Sequence, residues 1–270
     1  MNAPGYRTLS RLLGDPATDG AELFAAAGVV DAWLELGRLR AHGAAPWAPH
    51  PRRDVPAAVE AYRAADRAGS RAGALGWTRV AYFARSAEHA TDAARRVDEL
   101  LTADPDDPEV LCLAGYLAQR GFGRAPDLGA AMRFHRAAAD RGSAESAFEL
   151  SVLHATGVGV PADQDEATRW TFRAAELGSA RAMANVAGMY ATGRGVEHDP
   201  RAALAWYGRA ADAGHAEAAC TAGVMCLIGD GGLPVDSAAA DRFLTLADEL
   251  GFDVDRALGS MDLTRPDPTG

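Results

Sequence analysis

The sequence has 270 residues, of which 48% are hydrophobic and 24% are charged, and its formal net charge is −10. This balance provides enough apolar side chains for a sizeable core and excludes overall intrinsic disorder. The acidic majority argues against general nucleic-acid binding. Three cysteines are too few for a disulfide framework, and no apolar run approaches the ~20 residues that span a membrane. Because residues 1–20 also lack a basic start followed by an apolar stretch, we expect the chain in the cytoplasm.

The first third of the chain carries the weaker helical patterns. Residues 1–20 are expected to form a mobile N-terminal segment, and residues 21–28 a lone capping helix. Residues 31–43 (DAWLELGRLRAHG) and 55–69 (VPAAVEAYRAADRAG) are typical of two paired helices. A second pair is expected over about 72–106. Segment 21–106 is therefore predicted to consist of degenerate helical pairs, with residues 44–53 inserted between the helices of the first pair.

A 36-residue period runs through the remainder of the chain. Four glycines are each 36 residues apart, and an aromatic column follows the same period with one extra residue before its last member. The glycines are Gly121, Gly157, Gly193 and Gly229, and the aromatic residues are Phe134, Trp170, Trp206 and Phe243. Each 36-residue repeat is predicted to be a pair of helices. One pair cannot bury its apolar stripe alone, so neighbouring pairs must stack.

The repeat that begins at residue 180 shows how each pair of helices is built. Apolar side chains at four-residue spacing predict a first helix over Ala180–Thr192, and Gly193 is placed to end it. Asp199 then has the character of an N-cap, and Pro200 that of the first residue of a second helix. We refer below to the first helix of each pair as its A helix and to the second as its B helix.

The spacing and residues of these units resemble the Sel1-like repeat (SLR) family, a relative of the tetratricopeptide repeats. A good match is ARAMANVAGMYATGRGVEHDPRAALAWYGRAADAGH, which carries the Gly-x-Gly-Val turn and the Ala-x-x-Trp and Ala-Ala elements. Val186 and Ala187 depart from the family's Leu-Gly pair. The resemblance implies an all-α, right-handed α-solenoid of stacked helix-turn-helix repeats. It predicts four regular repeats over residues 107–251, followed by a C-terminal cap and mobile tail over 252–270.

No catalytic constellation is visible in the sequence. The zinc-protease, nucleophile-elbow and phosphate-loop motifs are absent, and the Gly-x-Gly pairs follow helices, which is typical of hairpin turns. The cysteines have the pattern of buried small hydrophobes. His154 is expected to pack as a neutral side chain, whereas His135, His198 and His215 are expected at the surface. The sequence therefore predicts neither a metal site nor a cofactor.

The resemblance also implies a binding groove. In the family and its relatives, positions that flank the Leu-Gly pair line a concave surface made by the A helices. This mixture of polar and apolar side chains suits a peptide or a loop of another protein, although such positions can also be merely solvated. The residues carried over in this way are Leu113, Tyr116, Arg120, Glu149, Val152, Thr156, Asn185, Gly188, Thr221 and Val224.

The insertion at residues 44–53 is a second candidate for recognition. It contains Trp47, His50, Arg52 and Arg53 together with several prolines, and aromatic and arginine side chains often dominate interface energy. Residues 33–96 hold eleven arginines against six acidic residues, whereas residues 97–256 hold thirteen against twenty-five. An acidic partner, or the acidic half of a second copy of the chain, would complement the loop. The alternative is a tolerated surface insertion.

The leading functional prediction is a non-catalytic adaptor or scaffold that binds a peptide or protein partner in the groove, with no membrane or nucleic-acid partner. Self-association is a further expectation. The alternative is an accessory subunit or an enzyme that acts on a peptide or cell-envelope substrate. Some relatives have been associated with β-lactam hydrolysis, but the chain contains no lysine and so has no Ser-x-x-Lys motif.

Overall fold

The computed structural model describes residues 55–266, which contain twelve α-helices and no β-strand. Helices α1 to α6 span Val55–Arg67, Arg71–Phe83, Ala90–Ala103, Pro108–Arg120, Leu128–Asp140 and Ala144–Thr156. Helices α7 to α12 span Gln164–Glu176, Ala180–Thr192, Pro200–Asp212, Ala216–Ile228, Ser237–Glu249 and Val254–Gly259. Short 3-10 turns lie at Ala87–His89 and Asp230–Gly232. The predicted all-α fold of consecutive helix-turn-helix repeats is confirmed.

The chain divides into two compact units, Met1–Phe134 and His135–Gly270. We call them unit 1 and unit 2, and helix α5 crosses from the first to the second. In unit 2, α6 packs on α7, α8 on α9 and α10 on α11, and α7 and α9 also contact the helix that follows each of them. The predicted capping helix at residues 21–28 and the insertion at 44–53 lie outside the described residues.

Local sequence signals determine where the helices begin and end. Asp199 caps α9, because its carboxylate accepts the backbone N–H groups of the second and third helical residues. At the end of α8, Gly193 adopts φ = +72°, a left-handed conformation that glycine reaches without a steric penalty. Both positions agree with the sequence prediction, which placed the two helices of this repeat at Ala180–Thr192 and from Pro200 onward.

Small side chains bring the helices of unit 2 close together. In α9, Ala203, Ala210 and Ala211 are fully buried or nearly so. The larger apolar side chains Leu244 and Leu258 fill the core near the C-terminal end of the unit. Because the alanine side chain occupies little volume between helix axes, neighbouring backbones can approach closely. The larger leucine side chains then fill the remaining space in the core.

The aromatic column is less buried than its spacing alone suggests. Phe134, Trp170, Trp206 and Phe243 are all half-buried. In unit 2 the Trp206 ring meets the Phe172 ring edge-to-face at 6.5 Å between centroids, and the guanidinium of Arg209 lies 4.0 Å from its centroid. The half-buried Trp206 ring therefore contacts another ring of unit 2 and also a charged side chain.

Unit 1 has a core in which a polar network is embedded. Val59, Trp77, Ala81 and Ala93 form a buried cluster. The Trp77 indole Nε1 donates to Asp66 Oδ2 at 2.9 Å, and Arg96 Nη2 donates to Asp66 Oδ1 at 2.6 Å. This network connects α1, α2 and α3, so one carboxylate satisfies donors from two neighbouring helices.

The structure corrects one prediction about histidine. His135 was expected at the surface, but its side chain is completely buried. It occupies an inward position of α5 that corresponds, 36 residues later, to the buried Thr171 of α7. His198 is exposed and His154 is buried, as predicted. The three cysteines are also buried and unpaired by disulfides, in agreement with their expected role as small hydrophobes.

Candidate protein-binding site

Seven of the predicted groove residues lie in unit 2, on the A helices α6, α8 and α10. They recur at 36-residue spacing, and all are at least partly exposed. We call the surface that they form the A-face of unit 2. Its members are Glu149, Val152, Thr156, Asn185, Gly188, Thr221 and Val224.

The A-face changes in character along the helices. One register position carries the polar side chains of Glu149, Asn185 and Thr221. The position three residues further on carries Val152, Gly188 and Val224 instead, and Val152 is 37% exposed. Because residues three apart are neighbours on a helix surface, hydrogen-bonding groups lie beside an apolar strip. A surface of this kind can pair with the backbone of a bound segment and also bury its apolar side chains.

Asn185 lies between two surface pockets. A pocket of about 360 Å³ on one side is lined in part by Val152, Thr168 and Arg194. A pocket of about 220 Å³ on the other side is lined in part by Tyr207 and by Thr221. A side-chain amide has both donor and acceptor groups, and that of Asn185 forms no hydrogen bond with the other described residues. Asn185 is therefore the most central polar group of the A-face.

One hydroxyl and two thiols near the A-face are kept in their neutral forms. Burial, together with the nearby Glu217 carboxylate, raises the pKa of the Tyr207 hydroxyl, which keeps it a hydrogen-bond donor. Burial raises the pKa of the Cys220 thiol, and the carboxylate of Asp248 adds to this effect. The pKa of Cys226 is raised in the same way by burial and by Asp236. These shifts are opposite to those that activate a cysteine nucleophile.

In unit 1 the corresponding residues are placed differently. Leu113 and Tyr116 are 1% and 7% exposed, so they contribute little accessible surface, whereas Arg120 is exposed. Two residues that sequence reasoning missed, Arg79 and Phe83 of α2, stand 37 residues before Tyr116 and Arg120. This offset, one residue longer than the regular repeat, was the signal that could have identified them.

Two serine–histidine contacts resemble the start of a nucleophilic site. Ser86 Oγ lies 2.8 Å from His89 Nδ1, and Ser146 Oγ lies 3.2 Å from His135 Nδ1. The first pair spans three residues within a turn, and no carboxylate of residues 55–266 hydrogen-bonds to His89. The second pair includes a histidine with no exposed surface, which a substrate cannot reach. Both contacts are typical of local structural hydrogen bonds.

The described part of the chain also shows no metal cluster and no membrane-spanning helix. Residues 55–266 contain no cluster of three His, Cys, Asp or Glu side chains arranged to hold a metal ion. Among the described helices, none has the length and apolar character needed to cross a membrane. The four loop residues predicted to bind a partner, Trp47, His50, Arg52 and Arg53, lie outside the described residues, and their role stays a prediction.

The fold is that of a helical-repeat protein built from consecutive helical pairs. The Sel1 repeat family matches residues 108–143, 144–179 and 180–215. The chain therefore carries three Sel1 repeats, and the resemblance drawn from its sequence is confirmed. Sel1 repeats commonly mediate protein–protein interactions. Residues 216–251, predicted as a fourth repeat, form the α10–α11 pair and lie beyond the matched region.

Solved structures of similar fold support this assignment. A Sel1 repeat protein from Oxalobacter formigenes is 26% identical to this chain, with a TM-score of 0.63. The match covers 88% of this chain and 67% of that protein. A protective antigen with an SLR fold from uropathogenic Escherichia coli is 21% identical to this chain, with a TM-score of 0.55. The match covers 97% of this chain and 54% of that antigen. The chain thus spans about half the length of that antigen.

An immunity protein from Pseudomonas aeruginosa is 20% identical, with a TM-score of 0.56, and the match covers 84% of this chain and 83% of that one. At this level of identity the similarity concerns the fold alone. No curated protein matches the chain by sequence.

Proposed function

We propose that this protein is a non-catalytic interaction scaffold whose A-face in unit 2 binds an extended segment of a partner protein. The observation that supports the proposal best is the position of Asn185, an exposed amide between two pockets on neighbouring helical pairs. An asparagine can pair with a backbone N–H and C=O of a bound segment, and the pockets can receive side chains on either side of that contact.

The composition of the A-face favours a peptide or loop over a small charged metabolite. Val152 and Val224 offer apolar contact along the same strip, and Ile228, one helical turn beyond Val224, is 49% exposed. Apolar surface adjacent to polar groups is what a mixed segment of protein requires. We also propose that the binding occurs in the cytoplasm, as the sequence predicts.

Site-specific photo-crosslinking tests the proposal directly. A photoreactive amino acid at position 185 should crosslink one partner, whereas the same group at position 201, exposed on the B helix α9, should not. The crosslinked protein is then identified by mass spectrometry, purified, and titrated against variants of this chain. Asn185→Ala and Val152→Asp should each weaken binding about tenfold or more, because central groups of an interface carry most of its energy.

Arg201→Ala serves as the matched control, since it alters an exposed side chain on a B helix without touching the A-face. Equal loss of binding in the control and in Asn185→Ala would count against the A-face. Crosslinking that occurs only from B-helix positions would refute the proposal. The enzymatic alternative is tested in the same preparation with activity-based probes, where specific labelling of one serine or cysteine would favour it.

A further inference from the structure

The charge of the A helices differs between the two units. In unit 1, helices α2 and α4 together carry three arginines and one acidic residue, and that residue, Glu109, is ion-paired to Arg71 at 3.1 Å. In unit 2, helices α6, α8 and α10 together carry one arginine and three glutamates. Two helices of unit 1 thus present a basic surface within a chain whose net charge is −10.

Within that surface, arginine and aromatic side chains alternate. Arg79 and Phe83 stand one turn apart on α2, and Tyr116 and Arg120 stand one turn apart on α4, so each pair shares a helix face. The Phe83 and Tyr116 rings meet with centroids 5.8 Å apart, which joins the two helices. We call Arg79, Phe83 and Arg120, together with the buried Tyr116 ring that joins the two helices, the arginine–aromatic patch.

The rings of the patch continue into the core of unit 1, which holds them in place. The Tyr82 ring lies 5.1 Å from that of Phe83 and 5.5 Å from that of Tyr116. The guanidinium carbon of Arg120 lies 5.3 Å from the centroid of Tyr82, close enough for a cation–π contact. Although Tyr82 is 1% exposed, Phe83 is 49% exposed. A large aromatic side chain is therefore fixed by its neighbours and yet presented to the outside.

Among the described residues, Arg79 and Arg120 lack the carboxylate partners that five other arginines of unit 1 have. Five arginines of this unit form ion pairs, namely Arg63, Arg71, Arg95, Arg96 and Arg124. Within residues 55–266, by contrast, no carboxylate lies within 4 Å of the Arg79 or Arg120 guanidinium. The C-terminal position of Arg120 favours a cation through the helix dipole, but this does not account for Arg79, which is further from the end of α2.

We infer that the arginine–aromatic patch is a docking surface for an acidic segment of a partner protein that also carries an aromatic or large apolar side chain. This inference rests on the proposed scaffold function and adds the charge of the partner. Guanidinium groups bind carboxylates in planar, often bidentate geometry, and the exposed Phe83 ring offers the apolar contact beside them. Packed helices lie about 10 Å apart, so roughly three residues of an extended segment would cover the distance from one helix to the other.

A second copy of the chain is the competing occupant. The acidic A helices of such a copy are those of unit 2. Two of their three glutamates, Glu145 and Glu149, already interact with other groups in this structure, so Glu217 is the remaining one. A separate partner with several clustered carboxylates therefore complements the patch better than this surface of a second copy does.

The test uses two fluorescein-labelled 12-residue peptides with two phenylalanines each, one with Asp and Glu and the other with Lys at the charged positions. Fluorescence anisotropy with the full chain should show binding of the acidic peptide only. Arg79→Gln/Arg120→Gln should weaken that binding about tenfold or more, and so should Phe83→Ala. Added salt should weaken binding to the wild-type chain, with a smaller slope in the double variant.

Arg67→Gln/Arg133→Gln is the matched control, because these arginines lie on α1 and α5 and also lack ion pairs among the described residues. It should change affinity less than about twofold, as expected for charges distant from the bound segment. Thermal melting of every variant establishes that it is folded, and Arg79→Lys/Arg120→Lys should regain part of the affinity because the charge returns.

Three results would overturn the inference: no binding of the acidic peptide at millimolar concentration, equal binding of both peptides, or equal affinity of the patch variant and the wild type. Sedimentation velocity covers the competing occupant. A dimer that Arg79→Gln/Arg120→Gln dissociates, and that excludes the acidic peptide, would assign the patch to a second copy instead. Crosslinking from position 185 in unit 2 is measured separately, so failure of the patch leaves the test of the scaffold function intact.

Discussion

His135 Nδ1 and Ser146 Oγ form a hydrogen bond of 3.2 Å in unit 2, and the histidine side chain has no exposed surface. Burial lowers the pKa of His135 from 6.5 to about 4, because the charged imidazolium loses its hydration in the core. The pair therefore makes this part of the repeat array sensitive to acid, although neither residue is at the candidate site.

Stability should fall as the pH decreases from about 6.5 to 4. In this interval the unfolded chain binds a proton at His135 that the folded chain does not, so acid favours unfolding. The contribution lost between pH 7.5 and 4.5 should be roughly 2 to 3 kcal/mol. Urea unfolding at both pH values should show a smaller pH dependence in His135→Leu than in the wild type. His198→Ala, at an exposed position, should keep the wild-type dependence.

Two helical glycines in unit 2 should respond in opposite ways to the same substitution. A Cβ atom at Gly223 of α10 would lie 2.7 Å from Cγ and Cδ2 of Leu244, which is fully buried and has no space into which to move. Gly223→Ala should therefore destabilise the protein by about 1 to 3 kcal/mol. At Gly208 of α9 the nearest atom is Cζ of Phe243 at 3.5 Å, an ordinary contact.

Gly208→Ala should instead stabilise the protein by about 0.5 to 1 kcal/mol, because alanine restricts the unfolded chain and favours the helix. Equilibrium unfolding in urea measures both variants. Equal effects of the two substitutions would show that α10 and α11 are not packed as closely at this point as the structure has them.

The sequence predicted the helices more accurately than the site, for a physical reason. The end of α8 and the start of α9 depend on Gly193 and Asp199, whose effects are local and can be read from residue type. Whether Tyr116 or Asn185 is accessible depends instead on neighbouring helices. In unit 1 the rings of Tyr82 and Phe83 cover Tyr116, whereas Asn185 has no such neighbour and is exposed.

The burial of His135 could have been predicted from the register of the repeats. Positions 36, 72 and 109 residues later, after allowance for the extra residue in the last repeat, hold Thr171, Tyr207 and Leu244. Thr171 and Leu244 are buried, and Tyr207 is half-buried. Residue type alone favoured the surface for a histidine, but these equivalent residues of later repeats show that the position faces inward on the B helix. The equivalent positions were the stronger signal because successive repeats pack in the same way.

The aromatic column can be tested at Trp206. Its ring is half-buried, so Trp206→Ala should cost about 2 kcal/mol, below the 3 to 5 kcal/mol of a fully buried tryptophan. The loss comprises the edge-to-face contact with Phe172 and the stacking of Arg209. Trp206→Phe should recover most of the stability because it keeps a ring at this position. Denaturant unfolding provides the measurement, and an unchanged midpoint in Trp206→Ala would contradict the packing described for α9.

The carboxylate of Asp66 connects three helices of unit 1 through hydrogen bonds. It accepts hydrogen bonds from Trp77 and Arg96, and its side chain is 14% exposed. Asp66→Ala should destabilise the protein by about 2 to 3 kcal/mol, because it leaves the indole N–H and a partly buried guanidinium without their acceptor. Asp92 forms ion pairs with Arg63 and Arg95 at a more exposed site.

Asp92→Ala is therefore the control, and it should destabilise the protein less than Asp66→Ala does, because solvent screens exposed ion pairs. Arg96→Ala combined with Asp66→Ala should cost less than the sum of the single changes, since each single change already breaks the pair. Urea unfolding of the four variants measures this coupling. If Asp66→Ala and Asp92→Ala lowered the unfolding midpoint equally, the network of Asp66, Trp77 and Arg96 would have no special part in holding α1, α2 and α3 together.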